Sequence, residues 1–199
     1  MEAADNFIIR PGTSYSPNSR YFIGMNKIEL KDFYQWFMAS LPYCIEELMQ
    51  LVMNVNGFEN WNADDSPESL DVLGSWFVTQ VAKRDFNPQE LSSIEDSVGK
   101  SVDFSKWELT EKTKSLAFYV GMYYGEVAVK NRLGAKWGQS VSNKSNADYG
   151  QPIISGEGIL PINPVRVAHS IACRVVDGNA DGTSLRKAYD YWAGLSTKK

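Results

Sequence analysis

The sequence predicts an α+β, predominantly α-helical fold: a single-domain helical bundle with one small antiparallel β-hairpin at about residues 135–155. Three observations predict it. Apolar residues recur at 3.6-residue spacing over several long stretches. A polar cap followed by proline, which starts helices, occurs at Ser66-Pro67, Asn87-Pro88 and Asn163-Pro164. Only after residue 134 do two extended segments joined by a polar loop stand out. A chain of 199 residues, 43% hydrophobic and 22% charged, suits one well-filled core.

Residues 1–24 read as an irregular N-terminal arm and 25–199 as a single helical domain, because Arg10–Ser19 is turn chemistry throughout. From Ile28 the apolar positions Phe33, Trp36, Phe37, Leu41, Cys44, Ile45, Leu48, Leu51, Val52 and Val55 keep helical phase. Pro42 lies inside that run. It lacks a backbone donor and crowds the preceding turn, so a kink or break near Ser40 is expected, leaving two nearly collinear helices. Ser66 then caps a helix whose buried stripe is Leu70, Leu73, Trp76, Phe77 and Val81. Asn87 with Glu90 forms a capping box ahead of Leu91, Ile94 and Val98, and Gly99 ends that piece.

The strongest helix spans about Thr110 to Arg132. Its stripe of Leu116, Val120, Tyr123, Tyr124 and Val127 runs beside a row of small residues, Ala117, Gly121, Gly125 and Ala128. An interior helical glycine costs about 1 kcal/mol against alanine, so this row implies close approach of another backbone. Gly134 terminates the helix. Residues 135–141 and 149–155 form the hairpin, with Pro152 implying an edge or a bulge. Asn163 opens a helix closed by Gly178, and Thr183/Ser184 caps a last one carrying Leu185, Ala188, Tyr189 and Trp192.

Few residues invite chemistry. His169 is the sole histidine, which excludes multi-histidine metal sites. A small hydrolase could use His169 as base with Ser170, Cys44 or Cys173 as nucleophile, or Glu126 as a buried acid, but no nucleophile-elbow or cysteine-enzyme signature accompanies them. Asp177-Gly-Asn179-Ala-Asp181-Gly182 matches the first half of a calcium loop, yet Ala188 stands where a bidentate Glu is required. A helix end followed by a turn explains the same residues. No metal and no cofactor are expected. No apolar window approaches the ~18–20 residues that span a bilayer, and Glu2 and Asp5 argue against a signal peptide. Two cysteines within apolar patterns read as reduced thiols, so a cytoplasmic location is expected.

Charge is the informative feature. Residues 32–82 carry eight acids and no Lys or Arg, against a net charge of −4 for the chain. A one-signed field of this kind attracts a basic surface and repels nucleic acid. The loop 58–65 mixes aromatics with acids, a composition suited to gripping a basic partner. Glu59, Trp61, Asp64, Asp65, Glu68 and Asp71 are therefore the candidate partner-binding residues. The competing reading is that these acids merely decorate the solvent faces of two helices.

Several stretches carry a resemblance: Asp32-Phe-Tyr-Gln-Trp-Phe37 leading into Ile45-Glu-Glu-Leu48, the run Ser66–Phe77, and Leu116–Trp137 followed by Gly150-Gln-Pro-Ile153 and Asn163-Pro164. Together they resemble a family of small bacterial proteins associated with toxin–immunity gene neighbourhoods. The resemblance implies a mostly helical fold with a small sheet and, as a further step, an immunity or antitoxin-like role: a non-enzymatic protein that binds a cognate, basic toxin through its acidic surface. A non-catalytic accessory or scaffold subunit is the other alternative to a hydrolase. An exposed apolar patch at Trp61, Trp107 or Trp192 would favour it.

Overall fold

The computed structural model describes residues 19–98 and 103–195. Among them the chain forms α1 (Ser19–Ile23), α2 (Lys27–Met53), α3 (Ser69–Gln80), β1 (Lys83–Asp85), α4 (Pro88–Val98) and β2 (Trp107–Leu109). After these come α5 (Glu111–Asn131), β3 (Lys136–Gln139), β4 (Pro152–Gly156), β5 (Ile159–Ile162), α6 (Pro164–Val176) and α7 (Ser184–Leu195). The class is the expected one, α+β and rich in helix. The strands make a two-stranded antiparallel pair, β1–β2, and a three-stranded antiparallel sheet in the order β3-β4-β5.

Helix α5 is the axis of the fold. Thr110 caps it, its hydroxyl accepting from the Thr113 amide at 3.2 Å, and the helix is buried almost all round from Thr113 to Ala128. Helices α2, α3 and α6 and strands β3 and β4 pack on it. A helix apolar on every side is stable only when neighbours enclose it. The row of small residues does what its spacing implies. A Cβ on Gly121 would lie 2.5 Å from Val165 Cα and 2.8 Å from Val165 N, so α6 crosses backbone to backbone there. At Gly125 the space is filled instead by the Trp137 indole. Aromatic contacts then link Phe22, Phe33, Trp36, Phe118, Phe37 and Trp137 into one continuous layer.

Local expectations mostly hold, with four corrections. First, α2 runs unbroken through Pro42. Leu41, Cys44 and Leu48 lie on its buried face while Pro42 faces solvent, and packing on both sides outweighs the roughly 3 kcal/mol helix penalty. Second, the arm does not extend to residue 24: Ser19–Ile23 is helical and Phe22 is fully buried against the core. Residues 1–18 of that expectation, and Gly99, lie outside the described residues. Third, Pro152 is not on an edge strand. It starts the central strand, paired with Gln139, and the irregularity of β4 falls later, between Ile154 and Gly156. Fourth, β1, β2 and β5 are additional strands.

The caps expected at Asn87 and Asn163 are realised, and the one at Ser66 is displaced, with Glu68 at the cap position of α3. Asn87 accepts from the Glu90 amide and Glu90 from the Asn87 amide, at 2.9 and 2.8 Å. Asn163 accepts from the Arg166 amide at 3.1 Å. Ser66 Oγ accepts from the Ser69 amide at 3.2 Å, but the first turn is tight: three successive i→i+3 bonds precede the α-helix, which begins at Ser69.

Candidate functional site: the acid-rich face

The connector between α2 and α3 is fixed from beneath by two tyrosines one turn apart on α5. The Tyr123 hydroxyl lies 2.6 Å from Ser69 Oγ and accepts from the Asp65 amide at 3.1 Å. Burial pushes the Tyr123 phenol up to about 12, so it stays protonated and keeps both contacts. The Tyr119 hydroxyl donates to Glu47 Oε2 at 3.3 Å. Their roots on α5 are about 6 Å apart by helical rise. An acid of α2 and the acidic connector are thereby held along one line. Asn131, at the end of α5, donates to the Asp65 carbonyl at 2.6 Å. Asp65 has φ 60°, the only positive φ outside glycine among the described residues, and these two contacts bracket it.

The candidate residues divide sharply. Trp61 is 5% exposed, stacks edge-on against Tyr123 and donates from Nε1 to the Ser69 carbonyl at 3.0 Å. It is a core residue supporting the connector, and it does not offer its ring to a partner. Glu59 and Asp64 are exposed and tied to local backbone: Glu59 accepts from the Gly57 amide, Asp64 from the amide and hydroxyl of Ser66. Those bonds to Ser66 hold the Asp64 carboxyl below its usual range. Among the described residues, Glu59, Asp64 and Asp65 meet no Lys or Arg.

Glu68 and Asp71 do meet one. Arg186 of α7 lies 3.2 Å from Glu68 and 3.3 Å from Asp71, and 3.0 Å from Asp190 on its own helix. One guanidinium thus faces three carboxylates, and the cluster stays negative by two charges. Two glycines let α7 come this close. A Cβ on Gly74 would run into the Gly182 carbonyl, and one on Gly182 would sit 2.8 Å from Ser75 Cα. Gly182, the sixth residue of the calcium-like segment, is therefore required by packing on α3. The segment itself is a turn. Asp181 accepts from the amide and hydroxyl of Thr183 at 2.9 and 2.5 Å, and Arg174 donates to the Asn179 carbonyl at 2.9 Å. No metal-holding cluster occurs among the described residues.

Of the residues of the hydrolase alternative, His169 and Cys173 come together. Glu126 accepts from Trp137 Nε1 at 2.7 Å and positions that indole. His169 and Cys173 approach to 3.8 Å, but burial raises the thiol and, with Lys114 and Arg166 nearby, lowers the imidazole. An activated cysteine needs the opposite shift of its thiol. Ser170 is exposed. Gly121 meets Val165 while Lys114 bears on His169, so α5 and α6 run in opposite directions. Glu126 is not among the charges that bear on His169. Cys44 and Cys173 are not joined by a disulfide. Trp61 and Trp192 are buried and Trp107 is half-buried against the core under Lys83, so no tryptophan patch forms for a scaffold contact.

Arg186, Asp190, Tyr123 and Asn131 complete the face and were not among the sequence candidates. The spacing of Arg186 and Asp190 signals an ion pair along a helix. Nothing local says that Glu68 lies beside it. No helix among the described residues is long and apolar enough to cross a membrane. Comparison with family models, curated proteins and solved structures finds no match for this chain.

Proposed function

We propose that this chain is an immunity or antitoxin-like binding protein, acting in the cytoplasm, that neutralises a cognate toxin by covering a basic surface with the acid-rich face. One observation carries the reading: of Glu59, Asp64, Asp65, Glu68 and Asp71, in a stretch without Lys or Arg of its own, only Glu68 and Asp71 meet a cation among the described residues, and that guanidinium, Arg186, faces three carboxylates. The retained negative field accelerates encounter with a basic partner, and its effect is screened by salt. Asp64, Asp65 and Glu59 sit on a connector held by Tyr123, so these charges are presented without a large ordering cost on binding. The proposed contact residues are Glu59, Asp64, Asp65, Glu68 and Asp71, joined by Asp190. Trp61 supports them from below. Binding alone would deliver the function, with no catalytic step by this chain. Neither nucleic acid nor membrane is a partner in this reading.

The experiment pairs the protein with the polypeptide encoded next to it in its source genome. Association is followed by stopped flow at low and high salt for the wild type, for E59Q/E68Q/D71N and for R186Q. The triple variant should associate severalfold more slowly at low salt, and the difference should vanish at high salt. R186Q removes the only cation from the cluster and should speed association. A rate indifferent to salt and to both sets of substitutions refutes the reading.

A further inference from the structure

On the side of α7 away from the acidic cluster, the seam between α6 and α7 opens into a trough. Its main part, about 620 Å³, is lined by Ile171 and Arg174 of α6, the loop 178–181, and Ser184, Lys187, Ala188 and Tyr191 of α7. A contiguous depression of about 360 Å³ shares Ile171, Arg174 and Ala188 and extends to Asp148, Arg166 and Ser170. Arg166, Ser170 and Arg174 recur every four residues, so a line of cation, hydroxyl and cation runs along α6 for about 12 Å. Ile171 and Ala188 give the lining an apolar part, and Tyr191 is 71% exposed.

The charges in this space are unequally committed. Asp148 takes Arg166 Nη2 at 2.8 Å and Asn163 Nδ2 at 2.9 Å. Asp181 is turned into the first turn of α7, accepting from Thr183 and Ser184, and so already fills the anion position at that helix start. Arg174, in contrast, gives one N–H to a carbonyl and meets no carboxylate. Lys187 lies within ion-pair distance of no carboxylate, though its charge bears on Asp181 at the rim and helps hold that carboxyl below its ordinary range. Asp177 and Asp190 each follow one of these cations by three residues, but neither pairs with it; Asp190 is held by Arg186. Among the described residues, neither Arg174 nor Lys187 lies within ion-pair distance of a carboxylate. Two exposed cations facing one trough favour a dianion over a carboxylate, because a guanidinium fork and an ammonium together match a phosphoryl group.

We propose that this trough binds a phosphate monoester with a planar apolar body, the phosphoryl group on Arg174 and Lys187 and the ring over Ile171 and Ala188 against Tyr191. The site is independent of the acid-rich face and does not rest on the toxin-binding reading. Its volume suits a small ligand rather than a macromolecule.

The test is a heteronuclear NMR titration of the full chain with phenyl phosphate, adenosine monophosphate, inorganic phosphate and phenol. Saturable shifts confined to residues of the α6–α7 trough are expected for the two esters, with inorganic phosphate several times weaker and phenol weaker still. R174Q/K187Q should weaken ester binding about tenfold or more. Y191A should reduce ester affinity towards that of inorganic phosphate while leaving inorganic phosphate unaffected. All three side chains are exposed, and the variants' spectra report directly whether they fold. Absence of saturable shifts with both esters overturns the proposal. So does ester binding that survives R174Q/K187Q, or phosphate binding as tightly as its esters.

Discussion

Substituting Gly121 by alanine tests the closest contact in the fold. A helical interior gains about 1 kcal/mol from glycine to alanine, so the change is stabilising wherever a methyl group has room. Here it has none. The new Cβ would lie 2.5 Å from Val165 Cα, 2.8 Å from Val165 N and 3.0 Å from the Pro164 carbonyl oxygen. Carbon atoms pack at about 3.5–4.0 Å, so α6 must retreat by roughly 1 Å. No rotamer change can absorb this, because the obstructing atoms are backbone at a capped helix start. Overpacking of this kind typically costs 1–3 kcal/mol or more, and at the upper end it exceeds the propensity gain by about 1–2 kcal/mol. For a chain of this size each kcal/mol shifts Tm by about 2–4 °C, which gives a fall of roughly 2–8 °C. Calorimetry on G121A and on G194A, whose Cβ would meet nothing within 4 Å, makes the comparison. G194A should match or exceed the wild type. A G121A protein as stable as the wild type would refute the backbone-to-backbone crossing of α5 and α6.

Two adjacent tyrosines should respond oppositely to loss of their hydroxyls. Y123F strips the acceptor from the Asp65 amide and a partner from Ser69 and should cost about 1–3 kcal/mol in urea denaturation. Tyr124 Oη is buried without a partner among the described residues, so Y124F should be neutral or stabilising by up to about 1 kcal/mol. A third prediction concerns pH. Burial, Lys114 and Arg166 hold the His169 pKa below its ordinary value, so the folded state prefers neutral imidazole. That contribution is complete above the unfolded value of about 6.5 and is lost as pH falls through the lower folded pKa. Stability of the wild type relative to H169Q should therefore decline on acidification over this window. A difference that does not change with pH would contradict it.

What the sequence made legible was local. Thr110 and Gly134 bracket α5, and Asn87 and Glu90 close a capping box, because each depends on neighbours a few residues away; the small-residue row of α5 announced a close backbone without saying that it is α6. What it hid was pairing over distance. Lys83–Asp85 is polar and exposed, with no alternation to betray a strand, and its partner Trp107–Leu109 lies more than twenty residues on. Strand β5 is short and contains Pro161, which lowers its extended-strand signal. Trp61 sits in a polar, acid-rich loop that reads as surface, yet Tyr123, from a helix beginning fifty residues later, buries it. Half of the acid-rich face was visible for the same reason. The acids could be counted, but Arg186 and its neutralising effect arrive from the last helix.

The excursion from β1 through α4 to β2 has a consequence for how this chain tolerates change. Neither Leu91 nor Ile94 joins the core, and α4 is tethered by the three-residue ladder and by ion pairs from Arg84 to Glu90 and Lys106 to Glu95. The antiparallel ends, Asp85 and Trp107, are already side by side. Length can be removed or grafted between them while α5 keeps its surroundings, which makes this stem the attachment point for a reporter or an affinity handle.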